Sequence, residues 1–184
     1  MTELATTGRR TLHERALERY GYITTHDAAE LGINLNALHA IVNRGGLTRV
    51  GHGVYRFDDI PATGRDPYME AVLAVGEDAF LLADAVLALH DLALVNPTRI
   101  RVGTRRRRYK TLPPTIEMVV TEIGDEDLTV YEAIPCTTVA RALADCVGIV
   151  MTDRLRAAAH EAAERGLLRR DETPRLLATL GEPV

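Results

Sequence analysis

The segment from Asn36 to Arg44 carries side chains whose types and spacing suit hydrogen bonding to nucleic-acid bases. Asparagine can bind adenine, and arginine can bind guanine, through paired hydrogen bonds in the major groove. Small side chains between them allow a helix to approach the groove closely. We call the following six residues the acid-free face, because none is acidic: Asn36, Ala37, His39, Ala40, Asn43 and Arg44. They predict contacts to bases or phosphates, and the alternative is an ordinary solvated helix face.

A helix over 35–44 would place these residues on one side of the chain. The Asn34 side chain can cap its first turn, because asparagine is a favoured N-cap residue. The pair Gly45-Gly46 ends the helix. Apolar residues at helical spacing predict the buried side, and they are Leu35, Leu38, Ile41 and Val42.

A first helix is predicted over 12–20. Thr11 and Glu14 have the spacing of a capping box, and Gly21 supplies the residue that ends the helix. A short strand is expected at 22–23.

The second helix is predicted to begin at Thr25 as its N-cap residue and to stop at Gly32. Asp27 lies in its first turn, where a carboxylate complements the positive end of the helix dipole. The turn at 32–34 then leads directly into the third helix, which is the spacing of a helix-turn-helix.

A β-hairpin is predicted after the third helix. Two β-prone runs, 47–50 and 54–57, are joined by Gly51-His52-Gly53, a glycine-containing hairpin signal. His52 is placed at the tip, flanked by Arg49 and Arg56. This hairpin predicts a wing that reaches DNA, and the alternative is a hairpin that only closes the core. The predicted DNA-binding residues are the acid-free face together with Thr25, Asn34, Arg49 and His52.

An exposed linker is predicted over 58–66, where acidic residues, proline and glycine occur without hydrophobic periodicity. We therefore expect a winged helix-turn-helix domain at 1–60 and a second domain at 66–184. The fold class is α/β in an α+β arrangement, with a small sheet and several helices in the second domain. Its helices are predicted at 67–75, 80–92, 138–150, 153–165 and 172–180, and its three strands near 99–102, 116–121 and 128–134.

Positive charge is concentrated in one stretch of the second domain, although the whole chain has a formal net charge of -4. The stretch 98–115 contains no acidic residue. The stretch could be a solubilising turn without a binding role. As a functional site, it would be a patch either for the DNA backbone or for an acidic protein surface. We call its seven cations the basic run: Arg99, Arg101, Arg105, Arg106, Arg107, Arg108 and Lys110.

Catalytic and metal-binding patterns are weak in this chain. Cys136 lies near a predicted helix start, where a thiolate can be stabilised, but no base is placed beside it by the sequence. The helix segment beginning His160-Glu161 lacks the second histidine of a zinc-protease motif. We expect no enzyme activity, no metal and no cofactor. We also expect a cytoplasmic protein with both cysteines reduced, because no long apolar segment or leader pattern occurs.

Four blocks in succession resemble the AbiEi-type antitoxins of bacterial type IV toxin-antitoxin systems. They are GYITTHDAAELG with LTRVGHGVYRF, then AFLLADAVLALHDL, RIRVGTRRRRYK and AIPCTTVARALADCVG. The last block resembles the family signature G-I-P-x-T-[ST]-x-x-R-[TA]-x-x-D, with Ala133 in place of the frequent glycine and Ala142 in place of the frequent threonine. The signature residues are Thr137, Thr138, Arg141 and Asp145.

The resemblance implies a winged helix that binds operator DNA and represses its own operon. It also implies a C-terminal antitoxin domain that opposes a nucleotidyltransferase-like toxin. From the residues themselves, Thr137 or Thr138 can cap a helix, and Arg141 and Asp145 are spaced to pair as a structural clamp. The alternatives are a protein-masking partner without DNA binding and a stand-alone repressor. No membrane partner is expected, and the sequence leaves the oligomeric state open.

Overall fold

The fold is that of a computed structural model, which describes residues 2–107 and 111–181, with side chains from Gly8 onward. In this part of the chain, eight α-helices and two β-sheets form two compact units divided between Gly76 and Glu77. The predicted mixed α/β fold class is confirmed.

The first unit has the order of elements that the sequence predicts for a winged helix-turn-helix. Strand β3 lies in the centre of a three-stranded antiparallel sheet of order β1-β3-β2. The elements are α1 (Thr2–Leu17), β1 (Tyr22–Thr24), α2 (Thr25–Glu30), α3 (Leu35–Asn43), β2 (Leu47–Gly51), β3 (Val54–Phe57) and α4 (Asp66–Val75).

The core of this unit joins all three N-terminal helices to the sheet. Leu12 from α1, Leu38 from α3 and Phe57 from β3 are fully buried within one cluster. Because α3 contributes only its inner side to this core, packing determines which of its sides faces solvent.

The start and end of the first helix differ from the prediction. Helix α1 begins at Thr2, so Thr11 lies inside it and the predicted capping box is wrong. No proline interrupts the residues before Leu12, and the helix therefore continues through them. It ends at Leu17, earlier than predicted, because Tyr20 and Gly21 both have positive φ values of 56° and 89°.

The end of the first unit lies later than the linker predicted at 58–66. Helix α4, which the sequence assigns to the second domain, packs in the first unit. Arg56 Nη2 lies 2.9 Å from Asp66 Oδ1, and Tyr22 donates a hydrogen bond to Glu70 at 2.8 Å. These bonds attach α4 to the sheet, which linker composition alone does not reveal.

The second unit is built on a five-stranded mixed sheet of order β6-β5-β4-β8-β7. Strands β5 and β6 are parallel, as are β4 and β8, and the remaining pairs are antiparallel. A 3-10 turn at Asp125–Asp127 precedes β7. The elements are β4 (Phe80–Leu81), α5 (Asp84–Leu89), β5 (Ile100–Thr104), β6 (Ile116–Val120), β7 (Leu128–Tyr131), β8 (Ile134–Thr137), α6 (Val139–Asp145), α7 (Thr152–Glu164) and α8 (Glu172–Thr179).

Three predicted elements of this unit need correction. The helix predicted over 80–92 begins only at Asp84, because Phe80 and Leu81 pair with β5 as a short central strand. The single strand predicted over 128–134 is two strands, which turn at Glu132 and Ala133 with φ values of 47° and 65°. The helix predicted over 138–150 ends at Asp145. The sheet therefore has five strands and not three.

Candidate nucleic-acid interface

The start of helix α3 is determined by Asn34, as predicted. Its side-chain Oδ1 accepts a hydrogen bond from the Ala37 backbone N–H at 2.9 Å. This bond satisfies one of the amides that a helix leaves unpaired at its N-terminus. Asn34 thereby fixes the residue at which α3 begins, and its side-chain Oδ1 is engaged in the cap.

The acid-free face is entirely exposed to solvent. All six of its residues are exposed, whereas Leu38 and Ile41 on the opposite side are buried. The structure therefore brings Asn36, Asn43 and Arg44 onto one accessible surface.

Leu35 is an exception to the predicted buried side, because 53% of its surface is exposed. It is the first residue of α3 and lies at the rim of a shallow hollow between α2 and α3, which Ala28 and Ile33 also line. At the first turn of the helix, the core ends before it can cover this side chain. An exposed leucine next to the acid-free face offers an apolar contact of the kind that thymine methyl groups make.

Helix α2 is held in place by a buried carboxylate. Its N-cap residue is Thr24 and not the predicted Thr25: Thr24 Oγ1 accepts from the Asp27 backbone N–H at 3.1 Å, and Asp27 Oδ2 accepts from the Thr24 backbone N–H at 2.8 Å. Arg19 donates to both oxygens of Asp27 at 2.9 and 3.0 Å. Because Asp27 is 1% exposed, this buried ion pair holds α2 to the turn that follows α1.

Thr25, a predicted DNA-binding residue, joins α2 to the hairpin. Its backbone N–H donates to the carbonyl of Gly53 at 2.9 Å. Gly53 has a φ of 71°, and a Cβ placed there would lie 3.0 Å from Thr25 Oγ1. Glycine is therefore favoured at this contact, and the hydrogen bond ties the hairpin to the start of α2.

The hairpin presents Arg49 and His52 to solvent. Both residues are exposed, and Arg49 Nε donates to the carbonyl of Gly51 at 3.1 Å, across an irregularity in the β2–β3 pairing. Arg56, on strand β3, forms an ion pair with Asp66. The two predicted wing residues are therefore both exposed on the hairpin, Arg49 on strand β2 and His52 at the turn, while Arg56 has a structural position.

The cations of the candidate interface differ from the other arginines of this unit. The ion pairs of the unit include Arg15 with Glu30, Arg19 with Asp27, and Arg56 with Asp66. Among the described side chains, no carboxylate forms an ion pair with Arg44 or Arg49. Their charge is therefore not neutralised within the described part of the unit, as a phosphate-binding surface requires.

The basic run is not one uniform patch. Arg101 Nη1 lies 2.6 Å from Asp84 Oδ2, and its Nε lies 3.4 Å from Glu117. Arg105 pairs with Asp125 and donates to the carbonyl of Ile123 at 3.1 Å. Four members are exposed, namely Arg99, Arg105, Arg106 and Arg107, and Arg108 and Lys110 lie outside the described residues.

The four signature residues lie at the junction of β8 and α6. Thr138 caps α6, because its Oγ1 accepts from the Arg141 backbone N–H at 3.3 Å, whereas Thr137 is buried at the end of β8. Arg141 donates to Asp145 at 2.9 Å and to Asp127 at 2.8 Å. Sequence reasoning finds the first partner from its helical spacing and misses Asp127, which only the tertiary fold brings near.

Both cysteines are buried, and their surroundings disfavour the thiolate. Burial raises the pKa of Cys136 to about 11, and burial together with the nearby charges of Asp84 and Asp145 raises the pKa of Cys146 to about 12. Cys136 lies within β8 and not at a helix start. A thiol that stays protonated at neutral pH is a poor nucleophile.

The described residues form neither a metal cluster nor a membrane span. No group of three His, Cys, Asp or Glu side chains in that part of the chain is arranged to hold a metal ion. None of the described helices has the length and apolar character needed to span a bilayer.

The N-terminal segment matches a known protein family. Residues 10–57 match the family model described as "Transcriptional regulator, AbiEi antitoxin". This segment is similar to AbiEi-type transcriptional regulators. The match begins within α1 and ends with β3, so it covers the helix-turn-helix and the hairpin, and it confirms the resemblance over those residues.

A solved structure matches this chain along most of its length. It is the crystal structure of the RV2827C protein from Mycobacterium tuberculosis, with a TM-score of 0.48 and 17% sequence identity, covering 97% of this chain and 72% of that chain. Comparison with curated proteins gives no match.

Proposed function

We propose that this protein is an AbiEi-type regulator whose acid-free face enters the major groove of its operator DNA. The observation that carries the proposal is the exposure of Asn36, Asn43 and Arg44 on one side of α3. These side chains can bind base edges, while Arg49 and His52 on the wing are placed to contact the backbone or the minor groove. Binding upstream of its own operon would make the protein an autorepressor.

The alanines of the acid-free face support the same proposal. Ala37 and Ala40 have short side chains between the longer polar ones, so the axis of α3 can lie close to the bases. The bond between Thr25 and Gly53 keeps the wing beside α2. Helix and wing therefore meet the duplex as one preformed surface, which lowers the entropic cost of binding.

We further propose that the second unit supplies the antitoxin activity against a nucleotidyltransferase-like toxin. This part of the proposal rests on the sequence resemblance of the signature block. The signature residue Arg141 is tied to two carboxylates, which suits a framework that shapes a protein-binding surface more than it suits a reaction centre. The protein would then have two partners, DNA and the toxin.

A mobility-shift titration with the DNA upstream of the gene tests the DNA-binding role. The double variant Asn43→Ala/Arg44→Ala should bind much more weakly, by about 1 to 3 kcal/mol for each side chain that contacts a base. The matched control is Asn96→Ala/Arg170→Ala, which removes the same two side-chain types from exposed positions of the second unit. The control should bind like the unaltered protein.

Two outcomes would oppose the proposal. Equal DNA affinity of the double variant and the control would show that Asn43 and Arg44 of the acid-free face do not contact DNA. No retardation of the unaltered protein, even at low salt, would favour the alternative of a protein-masking partner without DNA binding.

A further inference from the structure

Leu35 exposes a large apolar side chain beside the acid-free face. It is the first residue of α3, it directly precedes Asn36, and 53% of its surface is exposed. Single exposed apolar residues are common on protein surfaces and by themselves indicate nothing. What Leu35 does therefore depends on the surface around it and on its place in α3.

The surface next to Leu35 is apolar and carries no charge. Leu35 lies at the rim of the shallow hollow between α2 and α3, whose lining includes Ala28, Ala29 and Ile33. The described residues that line this hollow are all uncharged. A Cβ placed at Gly32 would have no described atom within 4 Å, so the hollow is open at this residue. An approaching duplex therefore meets an apolar surface there, without a lining carboxylate to repel its phosphates.

The place of Leu35 at the start of α3 puts it next to the base edges. In a helix-turn-helix, the N-terminal residues of the second helix contact the bases in the major groove. Consecutive helix residues are about 1.5 Å apart along the axis, and base pairs are stacked at about 3.4 Å. When Asn36 contacts a base, Leu35 therefore lies at the same base pair or at a neighbouring one.

The major groove offers one apolar group to a leucine side chain. Its base edges carry hydrogen-bond donors, hydrogen-bond acceptors and the C5 methyl group of thymine. Leucine has neither a donor nor an acceptor, so covering a polar base edge with it would leave that edge without a hydrogen bond, at a cost in free energy. Contact with the methyl group instead removes apolar surface of both partners from water.

We infer that Leu35 selects a thymine in the operator through the C5 methyl group of that base. The inference rests on the proposed DNA-binding function, and it adds a specificity-determining residue that has no hydrogen-bonding side chain. Asn36 and Arg44 distinguish bases by their donors and acceptors. Leu35 distinguishes thymine from cytosine, which has a hydrogen atom in place of the methyl group.

A mobility-shift titration with methyl-free DNA tests the inference. The DNA upstream of the gene is prepared with thymine or with uracil throughout, and uracil keeps the base pairing but lacks the C5 methyl group. The unaltered protein should bind the uracil duplex more weakly. In Leu35→Ala this loss should be about fourfold smaller for each methyl group that Leu35 contacts, since burial of one such group is worth about that factor. Comparing the two losses cancels the effects of uracil on other contacts and on DNA shape.

Three further variants sharpen the comparison. The matched control is Leu94→Ala, which shortens an exposed leucine of the second unit and should lose as much affinity on the uracil duplex as the unaltered protein does. Leu35→Met keeps a long apolar side chain and should also keep the larger loss. Leu35→Gln has a similar length but a polar end, and it should behave like Leu35→Ala.

The outcomes separate this inference from the proposed function. Failure of the unaltered protein to bind the thymine duplex overturns both. Binding with equal uracil losses for the unaltered protein and Leu35→Ala overturns this inference alone, because Leu35 then does not contact a thymine methyl group. If Leu35→Ala does not fold, the same comparison with Leu35→Gln decides.

Discussion

The acid-free face and the basic run present their positive charge in different ways. On the acid-free face, Arg44 is exposed and forms no ion pair with a described carboxylate. In the basic run, Arg101 and Arg105 are engaged by Asp84, Glu117 and Asp125. The basic run contains more cations in the sequence, yet these two contribute to the structure of the second unit. The larger number of cations in the basic run therefore does not by itself favour it over the acid-free face as the surface for a phosphate-rich partner.

The number of cations in a segment does not measure how much positive charge is available to bind a partner. An arginine held by carboxylates has already used much of its electrostatic attraction. What matters is whether acidic residues from other elements reach it in the folded chain. The predictions below separate cations that stabilise the fold from cations that are free to bind.

The largest effect is expected at the carboxylate that holds the helix-turn-helix together. Asp27→Ala leaves Arg19 without its buried partner and removes the capping box of α2. We expect a loss of about 3 to 5 kcal/mol in the free energy of unfolding, measured in urea. As a control, Glu14→Ala breaks the exposed pair with Arg10 and should cost less than about 0.5 kcal/mol. Equal effects of the two substitutions would show that Asp27 does not hold α2.

A substitution at Arg141 should separate stability from DNA binding. Arg141→Ala removes two charged hydrogen bonds, and we expect the second unit to lose about 1.5 to 3 kcal/mol of stability. Affinity for the upstream DNA should not change at a temperature where the variant is folded. Asn43→Ala/Arg44→Ala should show the opposite pattern, with lower affinity and unchanged stability. Weaker DNA binding by folded Arg141→Ala would show that Arg141 also contributes to DNA binding, against the separation proposed here.

The salt dependence of binding should distinguish the free cation from the paired one. Arg49→Ala, which removes the wing cation placed to contact the DNA backbone, should reduce the slope of log affinity against log salt concentration by about 1. Arg105→Ala should leave the slope as it is, since Arg105 pairs with Asp125. Titrations at several salt concentrations measure both slopes. If only Arg105→Ala reduces the slope, the basic run contacts the DNA backbone and the first unit does not.

The smallest effect concerns the pH dependence of the first unit. Burial alone would raise the pKa of Asp66, but hydrogen bonds from Thr63 and Arg56 outweigh it and hold the pKa below its ordinary value. The ionised carboxylate therefore stabilises the fold above its unfolded pKa, and this contribution is lost as pH falls through the folded pKa.

Unfolding experiments from neutral pH down to about pH 2 measure this contribution. Asp66→Asn should lose less stability over that range than the unaltered protein does. Asp58→Asn, at an exposed position, is the control. If both variants follow the unaltered protein, Asp66 does not contribute to the acid sensitivity.

Local patterns predict which elements the N-terminal unit contains up to β3, although they misplace the ends of α1 and the N-cap residue of α2. The sequence identifies Asn34 as the cap of α3, and the glycines at 51 and 53 locate the hairpin, because capping and tight turns depend on a few neighbouring residues. The inner side of α3 follows from its helical periodicity. The prediction for Leu35 is wrong because periodicity does not tell where a core ends.

The second unit is less predictable because tertiary pairing decides its elements. Phe80 and Leu81 continue an apolar segment that suits a helix, yet they form a central strand because β5 and β8 supply hydrogen bonds on both sides. Asp127 reaches Arg141 from a turn 14 residues earlier. No local signal in the sequence encodes such a contact.

The most direct test of the account is a map of the surface that DNA contacts. Nitrogen-15-labelled full-length protein is titrated with the upstream duplex, and amide shifts are followed by NMR. We predict that the largest shifts occur at 36–44 and at His52, with little change at 99–107. Largest shifts beyond Gly76, with the amides of α3 unchanged, would contradict the claim that the acid-free face is the DNA-binding surface.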